Sequence, residues 1–232
     1  MARRDVILLK YKRLTLFAGH YGSGKTNIAI NYALWLKGMG LDVTVADLDI
    51  VNPYFRTKDS ETLLAQQGIR LVCSPFANSN LDVPAMPREV YALLEPGSGH
   101  AVLDIGGDDR GALALGRYAP EILAEGNYEM LFVANRFRPL TRTPREALEV
   151  MGEVEQACSL PFTAIVNNSN LGPDTTAEDV RRSADYAREL AALSGLPVKM
   201  TAARADLCKQ LQPWEGELFP LTLQELYYQL HS

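Results

Sequence analysis

The sequence has few cysteines. Only three occur in 232 residues, and no two of them form a CxxC pair. Zinc sites and dithiol redox centres usually show paired cysteines at that spacing, so neither kind of site is predicted. Sparse, unpaired cysteines act as small apolar side chains and are typical of proteins in a reducing compartment.

Long hydrophobic runs and an excess of basic charge are also missing. No stretch approaches the ~18 apolar residues of a membrane span. With 28 acidic and 23 basic side chains, the formal net charge is −5, unlike that of a protein with a basic, nucleic-acid-binding surface. The apolar tail at 218–232 has no lysine or arginine, so a helix packed on the core is expected there rather than a lipid-binding one. No membrane or nucleic-acid partner is indicated, and a cytoplasmic location is predicted.

Short apolar segments alternate with longer segments of helical periodicity. This alternation is typical of βα units and predicts an α/β fold: a mostly parallel sheet with helices on both faces. Seven strands are expected, at 14–18, 43–46, 69–72, 101–104, 128–134, 162–167 and 197–200. Helices are expected at 25–38, 86–95, 143–158, 177–194 and 221–230. No linker or repeat divides the chain, so residues 1–232 are assigned to a single domain.

The segment between the first strand and the first helix carries the most specific motif. It fits the phosphate-loop pattern G-x-x-x-x-G-K-[ST]. The matching residues are Gly19, His20, Tyr21, Gly22, Ser23, Gly24, Lys25 and Thr26. Glycines let backbone N–H groups turn toward phosphates, Lys25 supplies positive charge, and the Thr26 hydroxyl can bind Mg²⁺. We therefore assign these residues and Asn27 to a nucleotide site in a P-loop NTPase fold, with Lys25 also in a catalytic role.

Acidic turns follow two other strands. Asp47 and Asp49 come at the end of the second strand, and Asp104 ends the fourth strand before Gly107 and Asp108. In open α/β sheets, ligands lie outside the carboxyl ends of the strands, so these residues should face the phosphate loop. Carboxylates there can hold Mg²⁺ or orient an attacking water, and a glycine can bring its N–H close to a phosphate. Either turn alone could equally be solvated, but their combination with the phosphate loop favours a nucleotide site.

The phosphate loop and the two acidic turns together resemble the MinD/ParA branch of the SIMIBI class of P-loop ATPases. The resemblance runs from residue 14 to residue 109. Asp47-Leu-Asp49 is similar to the first switch turn of that family, and Asp104-Ile-Gly-Gly107-Asp108 is similar to the second. The resemblance implies that the chain binds ATP with Mg²⁺.

The resemblance also implies roles for single residues. Asp47 and Asp104 fall where the family holds Mg²⁺ or its waters, and with Thr26 of the phosphate loop they are assigned to the metal. Asp49 falls where the family places the carboxylate that activates water, and Asp108 matches an acidic position of the second switch. Asp49 and Asp108 are therefore assigned catalytic roles.

Two further positions bear on which nucleotide base is bound and on whether two copies of the chain meet at the nucleotide. Asn167 follows the sixth strand, where the family places an Asn that contacts adenine. The guanine-specific NKxD motif is absent there, which favours ATP over GTP. His20 stands where the family carries a lysine that crosses to the partner subunit's nucleotide. Its replacement argues against the family's ATP sandwich with cross-subunit catalysis, and a homodimer is kept as an alternative.

Three functions are compatible with these features. The favoured one is a slow, Mg²⁺-dependent ATPase that acts as a nucleotide switch for a partner protein of unknown identity. The second is an ATP-dependent small-molecule ligase, similar to dethiobiotin synthetase and the enzymes of cobyrinate amidation. The third is a module that binds the nucleotide without hydrolysing it.

Three arginines follow the fifth strand: Arg136, Arg138 and Arg142. They lie at the same sheet edge as the expected nucleotide site. Two interpretations stay open. The segment is either a recognition loop for an acidic partner or substrate, or a solvated loop before the next helix.

Overall fold

The computed structural model of the chain describes residues 11–48, 61–73, 88–95, 97, 99–106 and 109–222. Eight described strands form one sheet in the order β3-β2-β4-β1-β5-β6-β7-β8, and every neighbouring pair is parallel. The strands are β1 (Leu14–Ala18), β2 (Val43–Leu48), β3 (Arg70–Cys73), β4 (His100–Ile105), β5 (Tyr128–Ala134), β6 (Ala164–Asn167), β7 (Val198–Arg204) and β8 (Leu218–Leu221). The predicted α/β fold with a parallel sheet is therefore confirmed.

Helices connect the strands. They are α1 (Lys25–Gly38), α2 (Glu61–Gln66), α3 (Arg88–Leu94), α4 (Asp109–Gly116), α5 (Ala119–Glu125), α6 (Pro144–Cys158), α7 (Ala177–Ser194) and α8 (Ala205–Cys208), with a 3₁₀ turn at Gly172–Asp174. The two longest helices start with reciprocal capping boxes, formed by Thr143 with Glu146 and by Thr176 with Asp179. These caps satisfy backbone N–H groups that the first helical turn leaves without partners. Within the described ranges, no helix is long and apolar enough to cross a membrane.

Two apolar layers cover the two faces of the sheet. Successive residues of β1 alternate between them: Leu16 faces the layer that contains α6, and Phe17 faces the layer that contains α1. Side chains of a strand point alternately to opposite faces, so a strand covered on both sides is apolar throughout. The helices predicted on both faces are therefore present.

β8 and several short helices were not predicted from the sequence. A terminal helix was predicted in the tail at 218–232, but Leu218–Leu221 forms a strand paired with β7. Pro220 argues against a strand because proline cannot donate to a sheet ladder. The strand tolerates it at the outer edge of the sheet, where only one side is paired. Residues 223–230 of the expected helix lie outside the described residues.

The strand order places one crevice at the centre of the sheet. β1 lies between β4 and β5, and the chain adds later strands on opposite sides of it. In open α/β sheets, ligands bind at the carboxyl ends of the strands, at the point where the order of the strands reverses direction. The phosphate-loop motif begins immediately after β1, so the fold brings it to this point.

Candidate nucleotide-binding site

The phosphate-loop motif connects β1 directly to α1. Gly24 is the N-cap residue of α1 and has φ 91°, and Gly19 has φ 147°. A Cβ on Gly19 would lie 2.6 Å from the carbonyl oxygen of Val133, and a Cβ on Gly24 would lie 2.4 Å from Asn168 Nδ2. Both contacts are too short for a side chain. The loop is therefore closely packed against β5 and the segment after β6, and glycine is required at both ends.

Two side chains at the start of α1 are directed into the site. Lys25 is 6% exposed, and its Nζ donates to the carbonyl oxygen of His20 over 3.2 Å. The lysine side chain therefore folds back over the phosphate loop that precedes it. Thr26 Oγ1 donates to Asp104 Oδ2 over 2.5 Å. This hydrogen bond joins the phosphate loop to the end of β4.

Two carboxylates lie side by side at the carboxyl ends of β2 and β4. Asp47 and Asp104 are directly paired in the register of these strands, and each is 2% exposed. Adjacent buried carboxylates repel one another and favour a bound cation. With the Thr26 hydroxyl they form a set of oxygen atoms, which is the kind of ligand that Mg²⁺ prefers.

The described residues contain no cluster of three or more His, Cys, Asp or Glu side chains that could hold a metal ion. A nucleotide-bound Mg²⁺ does not need such a cluster. The ion commonly takes one or two carboxylates, and water and substrate phosphates complete its six ligands. The residues present therefore fit Mg²⁺ bound together with a nucleotide.

Three buried polar atoms at the loop have no hydrogen-bond partner within the described ranges. They are His20 Nδ1, Ser23 Oγ and Asn168 Oδ1. Buried polar groups in folded proteins are nearly always paired, so such atoms indicate a missing ligand or water. Their position beside the phosphate loop supports a binding site there.

Asn167 and Asn168 have different roles. Asn167 is fully buried; its Nδ2 donates to Ser183 Oγ over 2.8 Å and its Oδ1 accepts from Ser169 Oγ over 2.8 Å. Its amide therefore ties β6 to α7, and the predicted contact with adenine stays a prediction. The next residue reaches the loop: Asn168 Nδ2 donates to the carbonyl oxygen of Ser23 over 2.7 Å.

Two more predicted site residues lie in the loop and in the first turn of α1. Tyr21 is 54% exposed at the outer side of the loop, and the Asn27 carbonyl oxygen accepts from Asn31 Nδ2 within α1. Asp49, Gly107 and Asp108 lie outside the described residues. Their assigned roles stay predictions.

Two residues that contact the phosphate loop, Asn168 and Arg138, were not predicted to do so from the sequence. A Cβ on Gly22 would lie 3.6 Å from Arg138 Nε, so this guanidinium lies against the phosphate loop. Arg136, in contrast, donates to the carbonyl oxygen of Arg182 on α7. The only sequence signal for Arg138 was its place after β5, next to β1 in the sheet.

Comparison with solved structures supports the fold assignment. FtsY from Mycoplasma mycoides is 16% identical, with 82% of this chain and 59% of that chain aligned and a TM-score of 0.55. The cell division protein FtsY from Thermotoga maritima is 14% identical, with coverages of 86% and 68% and a TM-score of 0.55. The signal recognition particle receptor FtsY from Elizabethkingia anophelis, in complex with GDP, is 15% identical, with coverages of 82% and 56% and a TM-score of 0.51.

This likeness defines the fold class. The chain has the fold of a P-loop NTPase, and it spans 59% of the length of the Mycoplasma protein. No protein-family model matches the sequence, and no curated protein matches it. The structural neighbours show the fold alone, and the resemblance of the motifs to the MinD/ParA branch stays a prediction.

Proposed function

We propose that this chain binds ATP with Mg²⁺, hydrolyses it slowly and acts as a nucleotide switch for a partner protein. The observation that carries the proposal is the hydrogen bond between Thr26 and Asp104, with Asp47 paired beside Asp104. It joins the phosphate loop to the two carboxylates that the sequence assigns to the metal. Three separate parts of the chain thus form one site suited to a phosphate and its cation.

Each group would contribute a distinct interaction. Backbone N–H groups of the loop and the first turn of α1 would bind phosphate oxygens, favoured by the positive end of the helix dipole. Lys25 would neutralise charge on the outer phosphates. Mg²⁺, held by Thr26 and Asp104, would neutralise charge between the phosphates during transfer. For hydrolysis, we retain Asp49 and Asp108 as the proposed residues that position water.

The proposed choice of ATP depends on the missing NKxD motif. The Elizabethkingia FtsY structure contains GDP, which makes GTP the competing nucleotide. Because the Asn167 amide is already bonded to Ser183 and Ser169, it is not offered as the group that selects the base. ATP and GTP should therefore be compared under identical conditions.

The helix after β4 supports the switch proposal. Helix α4 begins at Asp109, directly after the second acidic turn, and packs against α6. Leu113 on α4 is 58% exposed. A change in the turn on loss of a phosphate would move α4 and alter this surface, in the manner of other nucleotide switches. A protein partner that binds there would sense the nucleotide.

The direct test is calorimetric titration of the pure protein with ATP and with GTP, in Mg²⁺ and in EDTA, followed by a turnover assay. We expect Mg²⁺-dependent ATP binding that Lys25→Ala removes. Lys37→Ala is the matched control because Lys37 lies at the other end of α1 and donates to the Gly68 carbonyl oxygen. Absence of binding by the wild-type protein would refute the proposal.

The remaining outcomes separate the alternative functions. Tight binding without turnover, even with cell extract added, would favour the non-hydrolysing module. Strong acceleration by a small carboxylate metabolite would favour the ligase. Sedimentation velocity with a non-hydrolysable ATP analogue tests the homodimer: an increase in mass would support it, and an unchanged mass would argue against it.

A further inference from the structure

The loop between β5 and α6 is held in a fixed shape. The carbonyl oxygen of Asn135 accepts from Arg138 N over 3.1 Å and from Thr141 Oγ1 over 2.8 Å. The Asn135 side chain accepts from Phe137 N over 3.0 Å. From the other side, Tyr186 on α7 donates to the carbonyl oxygen of Thr141 over 2.8 Å. Asn135 and Thr141 are both buried, so the turn has a defined geometry.

The three arginines of this loop lie in different surroundings. Arg136 donates to the carbonyl oxygen of Arg182. The pKa of Glu146 is lowered by its hydrogen bonds to Thr143 and, to a smaller extent, by the nearby charge of Arg142. Arg138 is exposed and makes no ion pair or side-chain hydrogen bond with any described residue. Its charge is therefore available for a ligand.

Arg138 also lies next to the phosphate loop. Its Nε, Cδ and Cζ would be 3.6, 3.8 and 3.9 Å from a Cβ on Gly22, which is ordinary van der Waals contact. Gly22 has no side chain, so the guanidinium can lie against the loop backbone. A fixed turn thus places a charge beside the segment that would bind phosphates.

We propose that the Arg138 guanidinium binds a phosphate oxygen of the bound nucleotide, as a second protein cation besides Lys25. This inference rests on the proposed nucleotide site. A guanidinium presents a planar set of N–H donors that matches phosphate oxygens, and such charge-assisted hydrogen bonds are stronger than neutral ones. Because the loop already holds the Arg138 backbone in place, only the side chain has to be ordered to make such a contact.

The test compares Arg138→Ala, Arg138→Lys and Arg142→Ala. Affinities for ATP and for inorganic tripolyphosphate are measured by calorimetry in Mg²⁺. Hydrogen bonds to charged groups predict that Arg138→Ala weakens both ligands by about 10- to 100-fold. Arg138→Lys should recover part of the loss, because it keeps the charge without the planar donors. Arg142→Ala should bind like the wild type.

Each outcome has a distinct meaning. Parallel losses for ATP and tripolyphosphate support a phosphate contact. A loss for ATP alone would place Arg138 at the base or ribose, and affinities within twofold of wild type would show no contact; either result overturns the inference and leaves the proposed nucleotide site standing. If the wild-type protein binds neither ligand, the proposed function fails and this inference fails with it. Because Arg138 is exposed, a circular-dichroism melt should show an unchanged fold in every variant.

Discussion

The Thr26 hydroxyl lies 2.5 Å from Asp104 Oδ2 and joins the first turn of α1 to the end of β4. The two residues are 78 positions apart in the sequence, yet the order of the strands places β4 directly beside β1. A hydroxyl and a carboxylate held at one point would supply two oxygen ligands to the Mg²⁺ of the proposed site. Changing either residue should therefore weaken Mg²⁺-dependent nucleotide binding more than it lowers the stability of the fold.

Asp104→Asn should weaken ATP binding in the presence of Mg²⁺, because the amide lacks the negative charge that attracts the cation. In EDTA, where ATP binds without the metal, the affinity should change little. We expect a loss of at least about 10-fold, since changing even the groups that only orient metal ligands costs about 10- to 100-fold. Calorimetric titration at pH 8 in the two buffers measures it. Asp42→Asn is the control because Asp42 is exposed at the opposite end of β2. An equal loss in both buffers would contradict the metal assignment.

Gly24→Ala should both destabilise the protein and abolish nucleotide binding. The new Cβ would lie 2.4 Å from Asn168 Nδ2, at a residue with φ 91°. Holding a non-glycine residue in that region costs about 1–3 kcal/mol, before the displacement of Asn168 is counted. Urea unfolding measures the stability and calorimetry measures the binding.

Gly38→Ala is the matched control for Gly24→Ala. Gly38 ends the same helix, and a Cβ there meets nothing within 4 Å. Alanine in a helix is favoured over glycine, so this variant should be as stable as the wild type or more stable, by up to about 1 kcal/mol. Similar losses in both variants would show that the loop geometry is not the cause.

The phosphate loop could be predicted because its determinants are local. A strand, a glycine-rich turn and a helix follow one another within 14–38, and the motif gives the position of each residue. The position of Asp104 beside the loop could also be predicted, since a strand end fixes the side of the sheet on which it lies. Thr26 and Asp104 meet because the order of the strands places β4 beside β1.

Other features of the site and the fold depend on contacts that cannot be predicted from the periodicity of apolar residues. The sequence assigned Asn167 to the base and gave Asn168 no role. Both side chains are buried, but Asn167 bonds to Ser183, whereas Asn168 bonds to Ser23 of the phosphate loop. The contact of Arg138 with Gly22 depends on a turn built by Asn135. β8 was missed because Pro220 is tolerated only at the sheet edge.

Asn167→Ala should lower stability without changing the preference between ATP and GTP. The substitution removes the bond from β6 to Ser183 and leaves buried groups of Ser183 and Ser169 without this partner. Unpaired buried groups cost about 1–3 kcal/mol each. Urea unfolding should show the loss, while the ratio of ATP to GTP affinity stays constant. A changed ratio at normal stability would restore Asn167 as a residue that contacts the base.

Stability should fall as the pH drops below 6.5, and His100 should account for part of the change. The pKa of His100, at the start of β4, is lowered from 6.5 by burial and then by the positive charge of Arg13, while Asp42 opposes the shift. The unfolded chain therefore binds a proton at a higher pH than the folded chain does. Protonation then favours unfolding between 6.5 and the lower folded pKa, with a slope of at most about 1.4 kcal/mol per pH unit for one group.

Urea unfolding at pH 8 and pH 5.5 measures this effect in the wild type and in His100→Gln. Between pH 8 and pH 5.5, the free energy of unfolding of His100→Gln should fall by less than that of the wild type. This holds whatever the stability of the variant at pH 8. Asp42→Asn should lose more than the wild type, because removing the carboxylate lowers the pKa of folded His100 further. Parallel pH profiles for the wild type and His100→Gln would show that His100 does not couple protonation to folding.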